Sequence, residues 1–300
     1  MTKETYNNNK TCGDISKSQQ DNALDLELKC IGTIVSPFTK RMGTPRQGAL
    51  APNARGFVQL NCHEETIDGM DSYSHCWIIF SFHANTNNPG SNKKTKVRPP
   101  RAGGVKVGQL ATRSPHRPNN IGLSLVKVDY VDKKTRRLYI SALDLVNGTP
   151  VYDIKPYVPW DVAGFVGAFH DGLGIKVPEW VRQDDELQTV TFSEEAQESL
   201  NLYLSRGYLS PLYTTDNGGS NAARKSIMDV LAQDPRGVKR RGSSSRDTYR
   251  LIFCSVEIEF VVSASRVEVV NVNTLDFDKD TTYVDGVPLI LNIADDALAP

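Results

Sequence analysis

The chain has 300 residues, 39% of them hydrophobic, and its 35 basic and 35 acidic residues cancel to a formal net charge of zero. This length and composition indicate a globular, soluble protein of one or two domains with a hydrophobic core. No apolar run approaches the roughly 20 residues that span a bilayer, so no membrane association is expected.

The first 28 residues are polar and rich in Asn, Ser and Gln, and we expect them to form a disordered extension. They lack the apolar core of a signal peptide, and their acidic residues argue against a transit peptide. The five cysteines are scattered, without a CxxC pair, which favours reduced thiols over disulfides or a zinc site. A cytoplasmic location, or a nuclear one, is therefore expected.

Short apolar and alternating segments predict a mainly β N-terminal domain over residues 29–165. Their spacing, with no convincing helix between them, favours a closed six- to seven-stranded β-barrel over a doubly wound sheet. The predicted strands lie in LKCIGTIVSPF, GFVQLNC, HCWIIFSFH, VKVGQLAT, IGLSLVKVDYVD, RRLYISALDL and TPVYDIKPYVPW. Pro156 and Pro159 are expected to confine the last segment to a sheet edge or a loop.

A small α+β C-terminal domain is predicted over residues 190–290. Ser193 is a plausible N-cap for a helix in SEEAQESLNLYLSRG, and NAARKSIMDVLAQ predicts a second helix that stops at Asp234 and Pro235. The alternating segments TYRLIFCSVEIEFVV and SRVEVVNVN predict a β-hairpin. Between the two domains, residues 161–190 show no regular pattern.

Positive charge is concentrated in one part of this neutral chain. Between Ser72 and Val128 there are nine Lys or Arg residues and no Asp or Glu. Segregated charge attracts anions even when the net charge is zero. Within residues 97–124 the arginines lie among prolines and glycines, and rigid loops that present arginine bind phosphates or nucleic acid. If the charge is considered by itself, a solvated basic face of the barrel explains it equally well.

A second basic cluster lies in the Gly/Ser-rich loop that follows residue 235, and it fits either a flexible loop or a second nucleic-acid contact. Asp144 is unusual because it lies on a mostly apolar strand, where a carboxylate needs hydrogen-bond donors. The sequence has no Ser-His-Asp order, Walker loop or zinc-ligand spacing. No metal is therefore expected.

Several long segments resemble the TsaA-like family, also called TrmO or YaeB, in the order and at the spacing of that family over residues 30–161. They are IGTIVSPF, PRQG, GMDSYSHCWIIFSFH, VRPPRAGG, VGQLATRSPHRPNNIGLS and LDLVNGTPVYDIKPYVPW. LAQDPR at 231–236 is similar to the AQDPRPAY motif in the C-terminal domain of larger members. Asn120 replaces a family proline, and Gly237, Val238 and Lys239 stand in place of PAY.

The resemblance implies a β-barrel methyltransferase that uses S-adenosylmethionine and acts on tRNA. Its substrate would be threonylcarbamoyl-adenosine next to the anticodon, methylated on the exocyclic nitrogen, and the enzyme would be a homodimer. The implied cofactor-binding residues are Pro45, Arg46, Gln47, His83, Ala84, Arg113, Leu123, Ser141, Ala142, Leu143 and Asp144. The expected tRNA-binding residues are Arg98, Arg101, Arg117, Asp234, Pro235 and Arg236.

Two other functions stay open on the sequence alone. A non-catalytic nucleic-acid-binding barrel would keep the basic loops without needing Asp144 or the PRQ turn. A methyltransferase for a small molecule would act independently of the basic loop at 231–250. The sequence identifies no general base.

Overall fold

The computed structural model describes residues 27–84, 95–99, 104–161, 189–236, 247–263, 266–275, 283–284 and 287–288. The predicted extension over residues 1–28 lies almost entirely outside these ranges, and so does Arg101. The strands are β1 (Gly32–Val35), β2 (Arg55–Leu60), β3 (His75–Ser81), β4 (Lys96–Val97), β5 (Val107–Gly108), β6 (Ile121–Asp132), β7 (Arg137–Ser141), β8 (Pro150–Pro156), β9 (Thr189–Phe192), β10 (Thr248–Phe253), β11 (Val256–Ser263), β12 (Arg266–Thr274), β13 (Tyr283–Val284) and β14 (Val287–Pro288). The α-helices are α1 (Glu194–Ser205) and α2 (Gly219–Leu231).

Six strands close into an antiparallel barrel in the order β1-β2-β7-β6-β3-β8, which confirms the predicted fold class. Side chains alternate between the interior and the outside, as the strand period of two requires. In β3, Cys76, Ile78 and Phe80 point into the core. Gly122 on β6 leaves room for the Phe80 ring, with which a Cβ atom at that position would collide.

The strand β8 corrects one prediction. The sequence predicts an edge or a loop here because of its prolines, but β8 pairs with β1 on one side and with β3 on the other. Pro150 and Pro156 are its first and last residues, where a missing N–H interrupts the ladder least. Pro159 begins a 3₁₀ turn beyond the strand. The segment therefore closes the barrel.

The predicted strand in VKVGQLAT is wrong except for its third and fourth residues. Only Val107–Gly108 is extended, and it pairs with β4 outside the barrel. Gln109–Ala111 forms a 3₁₀ turn in which Leu110 is 71% exposed. Because this segment buries no apolar face, nothing holds it in a longer ladder.

The C-terminal region is α+β, as predicted. The helices α1 and α2 accompany a four-stranded sheet of order β10-β11-β12-β9. Ser193 caps α1, because its hydroxyl accepts the Ala196 N–H at 3.1 Å. No helix in the described part of the chain is long and apolar enough to cross a bilayer.

Two features of this sheet differ from the sequence-based expectation. The predicted hairpin is a three-stranded antiparallel unit, because the chain reverses between β10 and β11, where Cys254 has a left-handed φ of 52°. The strand β9 is not predicted at all. It is four residues long and pairs in parallel with β12, a long-range contact that leaves little local signal.

The sheet region packs directly on the barrel. The Cys254 N–H donates to the Pro37 carbonyl at 2.9 Å, and the rings of Phe38 and Phe253 meet edge to face at 6.4 Å. The Arg55 N–H on β2 donates to the hydroxyl of Tyr213 at 3.1 Å. Just after α2, Gln233 contacts Arg46 and Leu50 in the loop between β1 and β2.

Candidate active site

Asp144 lies at the centre of the predicted site, three residues after the end of β7. Its Oδ1 accepts the hydroxyl of Ser124 at 2.7 Å, and its carboxylate also accepts the backbone N–H of Gly48. Burial raises the pKa of Asp144, whereas the Ser124 hydroxyl and the positive charge of Arg113 oppose that shift. The donors that the sequence requires for this carboxylate therefore come from β6 and from the PRQG loop (residues 45–48).

The PRQG loop lies against the chain that leaves β7. A Cβ atom at Gly48 would collide with the backbone carbonyl of Ala142, so only glycine allows this approach. Ala142 has a left-handed φ of 57°, which turns the chain at the end of the strand. Ser141 donates its hydroxyl to Asp129 at 3.0 Å. Leu143 is fully buried in the core, so it can offer a ligand only its backbone.

Arg113 and Leu123, both in the predicted cofactor set, are in direct contact. The Arg113 Nη2 donates to the Leu123 carbonyl at 2.8 Å. The side chain of Leu123 points outward from β6 and is 46% exposed. Arg117 donates from Nη1 to the Thr112 carbonyl at 2.6 Å, so this predicted tRNA contact also braces its own loop.

His83 follows β3 and contacts Thr149, five residues after Asp144. Its Nδ1 lies 3.3 Å from the hydroxyl of Thr149, which donates to the Val146 carbonyl at 2.7 Å. Because the Thr149 hydroxyl gives its one hydrogen to Val146, it can only accept a hydrogen bond from His83, through Nδ1–H. Ala84 is half-buried and is the last described residue before a gap.

Arg46 and Gln233 connect the PRQG loop to the end of α2. The Arg46 N–H donates to Gln233 Oε1 at 3.3 Å, and Arg46 Nη2 donates to the Gln233 carbonyl at 3.2 Å. Gln233 Nε2 donates to the carbonyls of Leu50 and Asp229, at 3.1 and 3.0 Å. The LAQDPR turn is thus held against the PRQG loop.

Asp234 and Arg236 form a bidentate pair within this turn. Arg236 donates from Nε to Oδ1 at 2.8 Å and from Nη2 to Oδ2 at 3.0 Å, and its guanidinium lies over the Tyr249 ring. Asp234 has a left-handed φ of 47°. Both predicted tRNA-binding residues therefore also shape the turn that carries them.

A cavity of about 110 Å³ opens between the PRQG loop and the LAQDPR turn. Its loop side includes two arginines and a threonine. The residues around it are Arg41, Met42, Gly43, Thr44, Pro45, Arg46, Val230, Gln233, Asp234 and Pro235.

Among the predicted cofactor residues, the contacts link Ala142 and Asp144 to the PRQG loop and Arg113 to Leu123, whereas the predicted tRNA residues fall into separate segments. Arg98 is exposed just after β4, and Arg101 lies outside the described residues. The sequence did not single out Ser124 or Gln233, although both lie in the motifs that carry the family resemblance. In the described ranges no three His, Cys, Asp or Glu side chains come together as metal ligands.

Residues 33–161 match the tRNA-methyltransferase O N-terminal domain. The chain is 35% identical over 250 residues to the tRNA (adenine(37)-N6)-methyltransferase of Escherichia coli, which covers 81% of this chain and 96% of that protein. It is also 35% identical over 220 residues to a protein of Pseudomonas aeruginosa named putative S-adenosylmethionine-dependent methyltransferase RcsF, covering 72% of this chain and 84% of the relative.

A crystal structure of TrmO from P. aeruginosa superimposes with a TM-score of 0.62 at 27% identity, covering 84% of this chain and 98% of that one. By contrast, the chain spans only 30% and 34% of the lengths of the tRNA (adenine(37)-N6)-methyltransferases of rat and mouse.

Proposed function

The chain belongs to the tRNA-methyltransferase O family, and we propose that it is an S-adenosylmethionine-dependent tRNA (adenine(37)-N6)-methyltransferase. Its substrate is threonylcarbamoyl-adenosine next to the anticodon. The observation that carries this proposal is the convergence on Asp144 of the PRQG loop, the start of β6 and the end of β7. These are the segments on which the resemblance to the family rests.

The residues around Asp144 fit a cationic cofactor. A half-buried carboxylate held by Ser124 and Gly48 is a suitable counter-charge for a ligand with an ammonium and a sulfonium group. The exposed Leu123 adds an apolar contact, and Arg113 can face the ligand's carboxylate. The proposed contacts are Pro45, Arg46, Gln47, His83, Ala84, Arg113, Leu123, Ser141, Ala142, Leu143 and Asp144.

The chain's contribution to the reaction is mainly positioning. When bound, S-adenosylmethionine supplies a methyl carbon from which the adenine nitrogen displaces a neutral thioether, while the nitrogen loses its own proton. An in-line displacement of this kind needs the nucleophile held close to the methyl carbon. The close packing of Gly48 on Ala142 and the hydrogen bonds of His83 and Arg113 keep the surrounding loops in one arrangement.

The tRNA is bound by the basic loops and the LAQDPR turn in this proposal. Arg98, Arg101 and Arg117 contact phosphates of the anticodon loop, and Asp234, Pro235 and Arg236 shape the C-terminal side of the site. An anticodon-loop purine is largely unpaired, so presenting it to the enzyme costs little.

We also propose that the protein is a homodimer. Apolar side chains are exposed around Arg113, in the 3₁₀ turn after β5 and at the outward positions of β6. Val105, Leu110, Ile121 and Leu123 are between 41% and 71% exposed. A second subunit would cover this patch, which lies beside the proposed cofactor site.

The proposed activity is tested by incubating the full-length protein with methyl-labelled S-adenosylmethionine and total tRNA, followed by nucleoside analysis. Labelled N6-methyl-threonylcarbamoyl-adenosine is the expected product. If no nucleoside is labelled and the cofactor does not raise the melting temperature, the chain is instead a non-catalytic nucleic-acid-binding barrel. Label in a small-molecule fraction alone would contradict the tRNA substrate.

A further inference from the structure

The cavity between the PRQG loop and the LAQDPR turn lies between the proposed cofactor residues Pro45 and Arg46 and the proposed tRNA residues Asp234 and Pro235. Its volume of about 110 Å³ is several times the ~10–15 Å³ that a single water requires, so it has room for a small organic group. It shares Pro45 and Arg46 with the PRQG loop, whose Gly48 reaches Asp144. Arg46 and Gly48 are two residues apart, so their Cα atoms lie within about 7 Å.

The walls of this cavity are fixed by hydrogen bonds. Gln233 is 6% exposed and links Arg46, Leu50 and α2 through its side chain. The left-handed turn at Asp234 is held by the bidentate pair with Arg236. A preformed cavity of this kind binds a ligand without a large ordering cost.

The charge that lines the cavity is positive. The acidic wall residue, Asp234, is neutralised by Arg236. The lining contains two arginines, Arg41 and Arg46, against this one carboxylate. Arg41 is exposed at the mouth and has no carboxylate partner in the described part of the chain. An anionic group is therefore the ligand that the lining favours, and a guanidinium binds a carboxylate through two parallel hydrogen bonds.

We propose that this cavity receives the threonyl carboxylate of the modified adenosine, with Arg41 as its charge partner and specificity-determining residue. The inference rests on the proposed function and adds the group by which the substrate is recognised. The carbamoyl linker is short, so the carboxylate lies within a few ångströms of the nitrogen that is methylated. Arg46 lines the cavity and Gly48, two residues further on, contacts Asp144, so the cavity and the proposed cofactor site share one short loop.

The proposal is tested with two synthetic anticodon stem-loop RNAs, one with threonylcarbamoyl-adenosine as the free acid and the other with its methyl ester. The variant is Arg41→Gln, and the matched control is Lys40→Gln, a neighbouring exposed cation that does not line the cavity. We expect Arg41→Gln to lower kcat/KM on the acid by about 10- to 100-fold, the usual effect of losing a charge-assisted contact. On the ester it should match the wild type, and Lys40→Gln should match the wild type on both RNAs.

Three outcomes would overturn the proposal. Equal losses on acid and ester would mean that Arg41 contacts a backbone phosphate instead. Equal behaviour of the two variants would remove any special role of Arg41. A wild-type enzyme that accepts the ester as well as the acid would show that the carboxylate is not recognised. Arg41→Lys should recover part of the discrimination, because it restores the charge without the fork.

A binding measurement separates this inference from the proposed activity. The nucleoside threonylcarbamoyl-adenosine and plain adenosine are titrated into the wild type and Arg41→Gln by calorimetry. We expect the wild type to prefer the modified nucleoside by at least about tenfold and the variant to lose most of that preference. If the wild type binds in this way but methylates neither RNA, the proposed activity fails and the cavity assignment stands. If it methylates the RNA without any nucleoside preference, the reverse holds.

Discussion

Arg46 in the barrel and Gln233 at the end of α2 are joined by two hydrogen bonds, although 187 residues separate them in the chain. One uses the Gln233 side chain and the other its backbone carbonyl. The same side chain also reaches the carbonyl of Leu50 beyond the PRQG loop. The C-terminal region therefore holds the loop that contributes to the proposed cofactor site.

Replacing Gln233 by Ala should weaken cofactor binding as well as stability. The side chain is buried, and its loss leaves the Leu50 and Asp229 carbonyls and the Arg46 N–H without this partner. We expect a loss of about 1–3 kcal/mol in the free energy of unfolding, measured with urea. The dissociation constant of S-adenosylmethionine, measured by calorimetry, should rise about three- to tenfold as the loop loosens.

Asn53→Ala is the matched control for Gln233. Asn53 donates through Nδ2 to Asp229 at 2.9 Å, a link between the same two parts of the chain that does not touch Arg46. It should lower stability without changing cofactor affinity. Equal effects of both variants on the cofactor would show that Gln233 acts only through general stability.

Gly48→Ala should damage the site directly. The added methyl group would collide with the Ala142 carbonyl, a backbone atom that cannot move aside as a side-chain tip can. We expect about 1–3 kcal/mol of destabilisation and at least a tenfold weaker cofactor affinity, because the Gly48 N–H would leave Asp144. Both are measured by urea unfolding and calorimetry.

Gly108 provides the control for this glycine substitution. A Cβ atom there meets nothing within 4 Å, and Gly108 has an ordinary φ of -56°. Gly108→Ala should leave stability and cofactor affinity within error of the wild type. An unperturbed Gly48→Ala protein would mean that the loop does not need its close approach to Ala142.

The pH dependence of cofactor binding should depend on Asp144. Burial raises the pKa of this carboxyl, so in the free protein it takes up a proton at a higher pH than an exposed aspartate would. A cationic cofactor prefers the ionised form, and binding should therefore weaken as the pH falls towards that raised pKa. In Asp144→Asn the affinity should be at least about tenfold lower at pH 8 and should lose this part of its pH dependence.

The same carboxyl also affects the stability of the cofactor-free protein, with a definite sign. Because the pKa is higher in the folded than in the unfolded state, the folded state binds more protons between the two values. The free energy of unfolding therefore falls as the pH rises through that window. Urea unfolding at several pH values gives the free energy of unfolding of the wild type and of Asp144→Asn. The difference between the two pH profiles is the contribution of this carboxyl. Identical pH profiles of both affinity and stability would contradict the assignment of Asp144.

Local signals in the sequence predicted local structure well. The N-cap at Ser193 and the alternation in β3 depend on neighbours within a few residues, and both are present. The need of Asp144 for hydrogen-bond donors was also predictable from its apolar surroundings. Its actual donors were not, because Ser124 is 20 residues away and Gly48 is on a different part of the barrel. Pairing across the fold decides such partners, and a single sequence carries no direct record of it.

In the strand β8, a local signal was present but misleading, because long-range pairing decides where the strand lies. Its prolines are a local signal for an edge, yet barrel closure places strands on both sides of it. The ladder tolerates Pro150 and Pro156 because they are the strand's two end residues. The position of a proline relative to the ends of a ladder depends on the register, which the sequence pattern did not define.

The proposed dimer makes a prediction that depends on Leu110. This side chain is 71% exposed beside the loop that carries Arg113, whereas Leu202 is 45% exposed on α1, in the C-terminal region. An aspartate buried in a subunit interface is costly, so Leu110→Asp should shift the protein from dimer to monomer. Light scattering after size exclusion at several concentrations measures this directly. Leu202→Asp makes the same change on a surface outside the proposed interface and should stay dimeric. A monomeric wild type, or equal dissociation of both variants, would rule out the proposed interface.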